Sequence, residues 1–499
     1  TDQRWTDAFL HRIRGDILLK ADPDNPARAE DAYRAAISIA REQGARSFGL
    51  QAALSLAKLY QSTGRPVEAH AVLAPALEGF AATPEMPEIA EAQTMLAALK
   101  QTEEVKADAA KQRRLTHLHV AYGNALLQAR GYGASETTEV FARARKSSAD
   151  REAPERLAAD YGLWVGGLVR GELSSMRVHA KAFLGKVEAR PDSPEAGVAH
   201  RLLGSTHWFA GEYVEARDHL ERALAVFQSG RDDDLAFRFG QDAGVAATLY
   251  LALALWPLGD VERAISLTRD AQERTARLAH IGTHAYEKAH AALFELMRGD
   301  LSRSALNALE LARLSREHDL PMWRAYAVFL AGLAGAESGA PGGGLEEMRR
   351  GAELLREQSI LNYDGLLKIA LAEAETRAGD VDRALAILDE ALATCDRTGH
   401  RAFEADLNRV RGEMLLKRDP ANPAAAEEAF QTAIAIAKQQ SARSFGLRAA
   451  LSLAKLFQST ARPVEARDAL APALEGFSPT PDLPEIAEAQ ALLAALAED

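Results

Sequence analysis

Apolar residues and alanines recur at helical spacing along nearly the whole chain, while the alternation of apolar and polar residues that marks strands is absent. This pattern predicts an all-α fold. The breaks in it have a regular form, a glycine followed at once by an acidic residue. The glycine ends one helix, and the acid lies near the N-terminus of the next, where the helix dipole favours negative charge. The pairs are Gly171-Glu172, Gly211-Glu212, Gly259-Asp260, Gly299-Asp300 and Gly379-Asp380.

The spacing of these breaks indicates a repeat. The glycines are 40, 48, 40 and 80 residues apart, which fits a period of 40 with one insertion and one missing mark. Each period holds two helices, so the repeating unit is a helical hairpin. The chain is therefore predicted to be a linear array of about a dozen hairpins.

A long segment of this array occurs twice. Residues 45–80 read ARSFGLQAALSLAKLYQSTGRPVEAHAVLAPALEGF, and residues 442–477 repeat them with few changes at an offset of 397. We therefore expect residues 1–99 to be the tail of a first module and residues 115–499 a complete module ending in a duplicate of 1–99. Residues 100–114 form a charged junction, either a flexible linker or, as the absence of Pro and Gly favours, a continuous helix.

Small and large apolar residues stand at fixed places within the hairpins, most clearly in residues 201–227 and 368–393. Small residues there let the two helices approach closely. In this the hairpins resemble the tetratricopeptide repeat, which implies a right-handed superhelical solenoid with the first helix of each hairpin on its inner face. In residues 201–227 the matching positions are Leu203, Gly204, Gly211, Ala216, Leu220 and Ala223.

The composition and charge of the chain exclude several classes of function. The net charge of −12 comes from 71 acidic and 59 basic residues without a basic block, which argues against nucleic-acid binding. Residues 243–259 form the longest uncharged run, but 17 residues with a proline are too short to cross a bilayer. No signal peptide is visible, so we expect a cytoplasmic protein without a membrane association. The lone Cys395 excludes an intrachain disulfide.

No catalytic constellation is visible. The phosphate-binding GxxxxGK[ST] motif and the nucleophile motif GxSxG are absent. His284 and His290 are six residues apart, so they do not form the i, i+4 pair of a zinc helix. We expect no enzyme activity, no metal site and no cofactor.

Two segments carry aromatic and charged residues that the repeat pattern does not require, and these residues suggest a ligand-binding groove. Tyr161 and Trp164 lie in DYGLWVGGLVRGE, and LAFRFGQDAGV follows the insertion, where Arg238 and Asp242 are four apart and can pair across one helical turn. The alternative is structural: the tryptophans pack between repeats and the Arg238–Asp242 pair closes the insertion. The candidate ligand-binding residues are Trp164, His200, Arg201, Arg238, Gln241 and Asp242.

A wider resemblance rests on RGDILLKADPDNPARAEDAYRAAISIA at residues 14–40, its copy at 411–437, and FRFGQDAGVAATLYLALALW. The chain resembles the C-terminal tetratricopeptide region of bacterial proteins that carry a class III adenylate or guanylate cyclase domain and an AAA-type ATPase domain upstream. This implies a regulatory scaffold that binds a protein partner or its own upstream domains. Two alternatives stay open, a small-molecule sensor and an array that self-associates through its ends.

Overall fold

The computed structural model describes residues 6–81, 86–130, 135–147, 154–228, 230–232, 235–337 and 341–498. Every regular element in these ranges is an α-helix, which confirms the all-α prediction. Helices follow one another as antiparallel hairpins, the arrangement of a tetratricopeptide-like solenoid. The chain divides into two compact units, Thr1–Arg114 and Leu115–Asp499. None of the described helices combines the length and the apolar character needed to cross a membrane.

Unit 1 consists of two hairpins and the first part of a long helix. Its core is formed by inward-facing apolar residues of the second, third and fourth helices, among them Tyr33, Leu50, Leu54 and Leu73. Residues 100–114 lie within the long helix. The helices are α1 (Asp7–Ala21), α2 (Ala27–Glu42), α3 (Arg46–Ser62), α4 (Pro66–Leu77) and α5 (Pro87–Arg130), the last of which continues into unit 2.

Unit 2 holds the remaining helices. They are α6 (Ser135–Ser147), α7 (Pro154–Val169), α8 (Leu173–Val187), α9 (Pro194–Phe209), α10 (Tyr213–Val226), α11 (Leu235–Phe239), α12 (Ala243–Leu258), α13 (Val261–Ala276), α14 (Ile281–Arg298), α15 (Leu301–Glu317), α16 (Pro321–Glu337), α17 (Pro341–Glu357), α18 (Asp364–Arg377), α19 (Val381–Thr398), α20 (Glu404–Arg418), α21 (Ala424–Gln439), α22 (Arg443–Ser459), α23 (Pro463–Leu474) and α24 (Glu485–Glu498). From α7 onward, the first helices of the hairpins are α7, α9, α12, α14, α16, α18, α20 and α22.

From α9 to α15 in unit 2, first helices are buried more deeply than their second helices. In α12, 15 of the 16 residues are buried, whereas in its partner α13 only 6 of 16 are. The uncharged run at residues 243–259 therefore forms a buried helix in the core of unit 2. A helix that is apolar all round must be covered on every side, because no face of it suits water.

The glycine and acid pairs mark hairpin turns as predicted. Gly259 ends α12 in the left-handed region with φ 91°, and Asp260 is the N-cap of α13. Asp300 and Asp380 are N-caps as well, and each carboxylate accepts the backbone N–H three residues ahead at 3.0 Å. Glycine suits the first position because it pays no steric penalty at positive φ.

Successive turns of the solenoid in unit 2 pack directly on each other. The end of one first helix bonds to the start of the hairpin that lies five hairpins further along the chain. At α12, the Ser444 hydroxyl at the start of α22 donates to the Trp256 carbonyl across 188 residues. The same relation recurs at two neighbouring hairpins, where Leu361 N donates to Val169 O at 2.7 Å and Arg401 N to Phe209 O at 2.7 Å. The Arg448 guanidinium of α22 also donates to Met297 O of α14, four hairpins earlier, at 2.9 Å.

This packing gives the turn glycines a second role. A Cβ on Gly259 would lie 3.2 Å from the Phe477 ring, and one on Gly211 would collide with the Gln440 side chain. Gly379 has the same positive φ but nothing within 4 Å, because the described chain places no further turn against it. At these hairpin ends the next turn of the solenoid therefore leaves no room for a side chain.

Glycine also sets the distance between α16 and α17. A Cβ on Gly351 would lie 2.6 Å from Phe329 Cα, so the two backbones are in contact there. We expect Gly351→Ala to lower the free energy of unfolding by about 1–3 kcal/mol, because the helices must separate. Gly335→Ala on the same hairpin has its nearest contact at 3.5 Å, and should raise that free energy by up to about 1 kcal/mol. Urea unfolding of both variants checks this. If the two substitutions change the free energy of unfolding in the same direction, the close approach of α16 and α17 is contradicted.

Candidate functional site

A small cavity lies between the first helices of the first solenoid turn in unit 2. We call it the Arg201 chamber. Three of the predicted residues, Trp164, Arg201 and Gln241, line it. Its volume is about 30 Å³, and no acidic residue is among those that line it. The other polar or aromatic lining residues are Tyr250, Tyr286, His290, Trp323 and Asn362.

Arg201 projects from α9 and is only 1% exposed. Its guanidinium carbon lies 5.2 Å from the ring centroids of both Tyr161 and Trp164, which come from α7. Such cation–π contacts recover part of the solvation that a buried cation loses. The Nε and Nη2 atoms are buried without a hydrogen-bond partner in the described part of the chain.

Trp164 and Gln241 fix the walls of the Arg201 chamber. Trp164 Nε1 donates to the Thr206 hydroxyl at 3.0 Å, which joins α7 to α9. Gln241 Nε2 donates to the Tyr161 hydroxyl at 2.7 Å, which joins the loop before α12 to α7. Both side chains therefore have structural bonds and also face the cavity.

His290 contributes an acceptor to the Arg201 chamber. Its Nδ1 lies 2.8 Å from the Tyr286 carbonyl, which can only accept, so Nδ1 carries the proton. Burial, with the repulsion of Arg201, lowers the pKa of His290 to about 4, so the ring is neutral near pH 7. The Nε2 lone pair is buried and has no hydrogen-bond partner among the residues that the structure describes.

His200 does not reach the Arg201 chamber. Its Nδ1 lies 3.0 Å from Nδ1 of His219 on α10, so it faces the second helix of its own hairpin. Burial lowers the pKa of His200 and, together with the neighbouring His200 ring, lowers that of His219 to about 4. At neutral pH one ring donates and the other accepts.

Arg238 and Asp242 have different partners from those expected. Arg238 Nη1 donates to Glu195 at 2.9 Å, and Asp242 accepts from Arg274 at 2.8 and 2.9 Å. Asp242 is also the N-cap of α12 and accepts from Val245 N. The predicted Arg238–Asp242 pair is wrong because α11 ends at Phe239, so the two residues do not share a helix.

The remaining lining residues are not among the ligand contacts predicted from the sequence. Tyr286 and His290 are four apart on α14, Trp323 begins α16, and Asn362 precedes α18. A search for polar and aromatic residues one helical turn apart on first helices would have found the α14 pair. Asn362 has no such signal, because it reaches the chamber only through the contact between solenoid turns.

A second candidate is an apolar surface on α1 in unit 1, which we call the α1 face. It consists of Phe9, Leu10 and Ile17, all of them exposed. Leu10 is 57% exposed, whereas its duplicate Leu407 in unit 2 is fully buried. Leu407 packs beside Gly365 at the start of α18.

The two copies are otherwise built alike. Arg65 bonds to Glu30 at 2.7 Å in unit 1, and the equivalent Arg462 bonds to Glu427 at 2.6 Å in unit 2. The difference at Leu10 is therefore a difference in surroundings and not in internal fold. The surface of unit 2 that is equivalent to the α1 face is covered at Leu407 by the start of α18.

The metal-ligating and thiol side chains in the described part of the chain do not form a further site. The described residues contain no group of three or more His, Cys, Asp or Glu placed to hold a metal ion. Cys395 is buried, and burial raises the pKa of its thiol to about 12. A thiol that stays protonated is a poor nucleophile.

No protein-family model matches the chain. The uncharacterized protein R02095 of Rhizobium meliloti (strain 1021) is 23% identical over 298 residues, which make up 59% of this chain and 28% of that protein. The chain thus spans little more than a quarter of the length of this curated relative.

Several solved structures align over most of the chain with low scores. The human IFIT1 dimer with PPP-AAAA aligns over 86% of this chain and 90% of its own, with TM-score 0.40 and 14% identity. Yeast Tom70 aligns over 99% and 96%, with TM-score 0.33 and 12% identity. A Rap protein complexed with competence and sporulation factor aligns over 90% and 99%, with TM-score 0.33 and 10% identity. Alignments this loose transfer no binding site.

Proposed function

We propose that the chain is a non-catalytic protein-interaction scaffold that presents the α1 face to a partner. The observation that carries this is the contrast between exposed Leu10 and buried Leu407, the same residue in two copies of one segment. Exposed apolar side chains clustered on one helix are typical of a surface that a partner covers.

The chemistry of the partner follows from what covers the duplicate. In unit 2, α20 packs against the hairpin α18–α19, and Arg411 on α20 donates to Asp389 on α19 at 2.7 Å. The residue equivalent to Arg411 is Arg14, which is exposed beside the α1 face. We therefore infer that the partner supplies a helical hairpin with an apolar face and an acidic residue opposite Arg14.

The finer proposal concerns the biological role. The resemblance to bacterial cyclase and ATPase proteins supports a regulatory region in signal transduction that controls an upstream output domain. The greater length of the curated relative is compatible with further domains in such proteins. We propose that these upstream domains supply the partner hairpin.

The test uses Leu10→Asp in the full chain. Titration calorimetry with the purified upstream region of the same protein should show an affinity at least about tenfold lower for this variant, a loss of about 1.4 kcal/mol, because a carboxylate cannot be buried unpaired in an apolar contact. The matched control is Val67→Asp, since Val67 and its duplicate Val464 are both exposed, at 65% and 63%. Equal affinities of the two variants would refute the proposal.

Sedimentation velocity of the chain alone separates self-association from partner binding. If a second copy covered the α1 face, the mass would rise with concentration and Leu10→Asp would abolish the rise. A monomer at all concentrations, together with Leu10-dependent binding of the upstream region, is the expected result.

A further inference from the structure

The Arg201 chamber contains a positive charge without a negative partner. Arg201 is 1% exposed, and among the described residues its Nε and Nη2 atoms have no hydrogen-bond partner and no carboxylate lines the cavity. Other deeply placed arginines among the described residues of unit 2, such as Arg298 and Arg448, have carboxylate partners. Arg409, for example, bonds to Asp406 at 2.6 Å and to Glu413 at 2.7 Å. Arg201 is therefore an exception that calls for a physical cause.

An unpaired buried charge is among the most unfavourable features that a folded protein can hold. The two aromatic faces against Arg201 offset only part of its lost solvation, because cation–π attraction is weaker than an ion pair. The two free N–H groups both need an acceptor, and an anion satisfies the hydrogen bonds and the charge together. The neighbouring elements supply none, so the acceptor must be a small species that enters the cavity.

The cavity limits the size of that species. A volume of about 30 Å³ exceeds the roughly 10–15 Å³ that one water needs, yet admits only a few heavy atoms. Nucleotides, peptides and sugar phosphates are far too large. A halide, formate or bicarbonate ion has the appropriate size.

We propose that the Arg201 chamber binds one small monovalent anion through Arg201 Nε and Nη2. His290 Nε2, which lines the same cavity with a free lone pair, adds selectivity for an anion that carries an O–H group. Bicarbonate can accept from Arg201 and donate to His290, whereas chloride and formate can only accept. The site is thus a concrete form of the small-molecule sensor, and it is independent of the scaffold role of the α1 face.

Occupancy would act on the contact between solenoid turns. The Arg201 chamber is lined by α7, α9, α12 and α14 of one turn and by Asn362 of the next. Asn362 Oδ1 accepts from the Tyr326 hydroxyl at 2.7 Å, so the loop before α18 is tied to α16 at the edge of the cavity. An anion that neutralises Arg201 therefore stabilises the closed arrangement of the turns.

The first test measures the thermal unfolding temperature of the full chain at constant ionic strength. Gluconate, which is too large for the cavity, is replaced stepwise by chloride, formate or bicarbonate. We expect the melting temperature to rise by roughly 2 °C or more and to saturate with at least one small anion. Arg201→Met should give the same melting temperature in every salt, because it removes the charge while filling a similar volume.

Two further variants test selectivity and independence. His290→Phe should abolish any advantage of bicarbonate over formate and leave the response to chloride. Leu10→Asp should leave every anion response unchanged, so a failure of the scaffold proposal and a failure of this one can be told apart.

Crystals of the unmodified chain grown in bromide give a direct readout that needs no variant. An anomalous peak beside Arg201 Nε and Nη2 is the expected result. A cavity that holds water alone, or identical salt responses of the unmodified chain and Arg201→Met, would overturn the proposal.

Discussion

Trp208→Ala is expected to lower the free energy of unfolding of unit 2 by about 3–5 kcal/mol, the largest effect among the substitutions considered. Trp208 lies on α9 and is completely buried. Its ring packs against Tyr250 of the same solenoid turn at a centroid distance of 5.7 Å. It also meets Tyr363 and Phe403 of the next turn at 5.7 and 5.6 Å. Truncation leaves a large cavity where two turns meet.

The indole nitrogen adds a polar term to this cost. Trp208 Nε1 donates to the Leu253 carbonyl at 2.9 Å inside the core. A buried carbonyl that loses its donor costs about 1–3 kcal/mol. Trp208→Phe keeps an aromatic ring and loses this hydrogen bond. Its free energy of unfolding should therefore lie between those of Trp208→Ala and the native chain.

Urea unfolding followed by circular dichroism at 222 nm measures both variants. Val464→Ala is the control, because Val464 is in unit 2 and 63% exposed, and its truncation should change the free energy of unfolding by less than about 0.5 kcal/mol. A Trp208→Ala effect as small as that of Val464→Ala would show that the turns of unit 2 do not pack on each other in solution.

The sequence predicted the repeat because its signals are local. A glycine such as Gly299 and the acid after it lie within one turn of each other, and each has a direct physical reason to stand there. Both roles can be read without knowing the rest of the fold. The same holds for α12, whose lack of any polar face predicts complete burial.

The packing of one solenoid turn on the next could not be predicted from such local signals. Ser444 and Trp256 are 188 residues apart, and neither residue type indicates which residue it will contact. Whether one turn meets the next depends on small rotations between hairpins that accumulate over five repeats. The approach of Asn362 to the Arg201 chamber is a result of that accumulated geometry.

The candidate site was predicted in part for the same reason. Trp164 and Arg201 lie on neighbouring first helices, so their proximity follows from the repeat. Arg238 and Asp242 were paired on the assumption of a continuous helix, and a short non-helical segment separates them. A charge pair inferred from spacing alone depends on backbone geometry that the spacing does not determine.

Arg448→Gln is expected to lower the free energy of unfolding by about 2–3 kcal/mol, because charge-assisted hydrogen bonds to buried acceptors are lost. Arg448 on α22 donates to Met297 O at 2.9 Å and to Arg298 O at 2.8 Å, at the end of α14 in the preceding turn. Its guanidinium also lies 4.7 Å from the Trp256 ring. These contacts hold the second turn against the first.

The duplicated segment supplies the substitution and its control. The residue equivalent to Arg448 in unit 1 is Gln51, which donates to Glu88 at 2.8 Å, while Arg448 bonds to the equivalent Glu485 at 2.6 Å. Arg448→Gln can therefore keep the contact with Glu485 and lose the bonds to the preceding turn. Gln51→Arg should change stability by less than about 0.5 kcal/mol, because no described first-helix carbonyl bonds to Gln51.

Urea unfolding of the two exchanges separates the local from the long-range contribution. If Arg448 acts only through Glu485, both exchanges will have small effects of similar size. If it holds two turns together, only Arg448→Gln will destabilise the chain. One duplicated segment would then have two different sets of contacts in the described part of the chain, because Arg448 bonds to the end of α14 whereas its counterpart Gln51 bonds to Glu88.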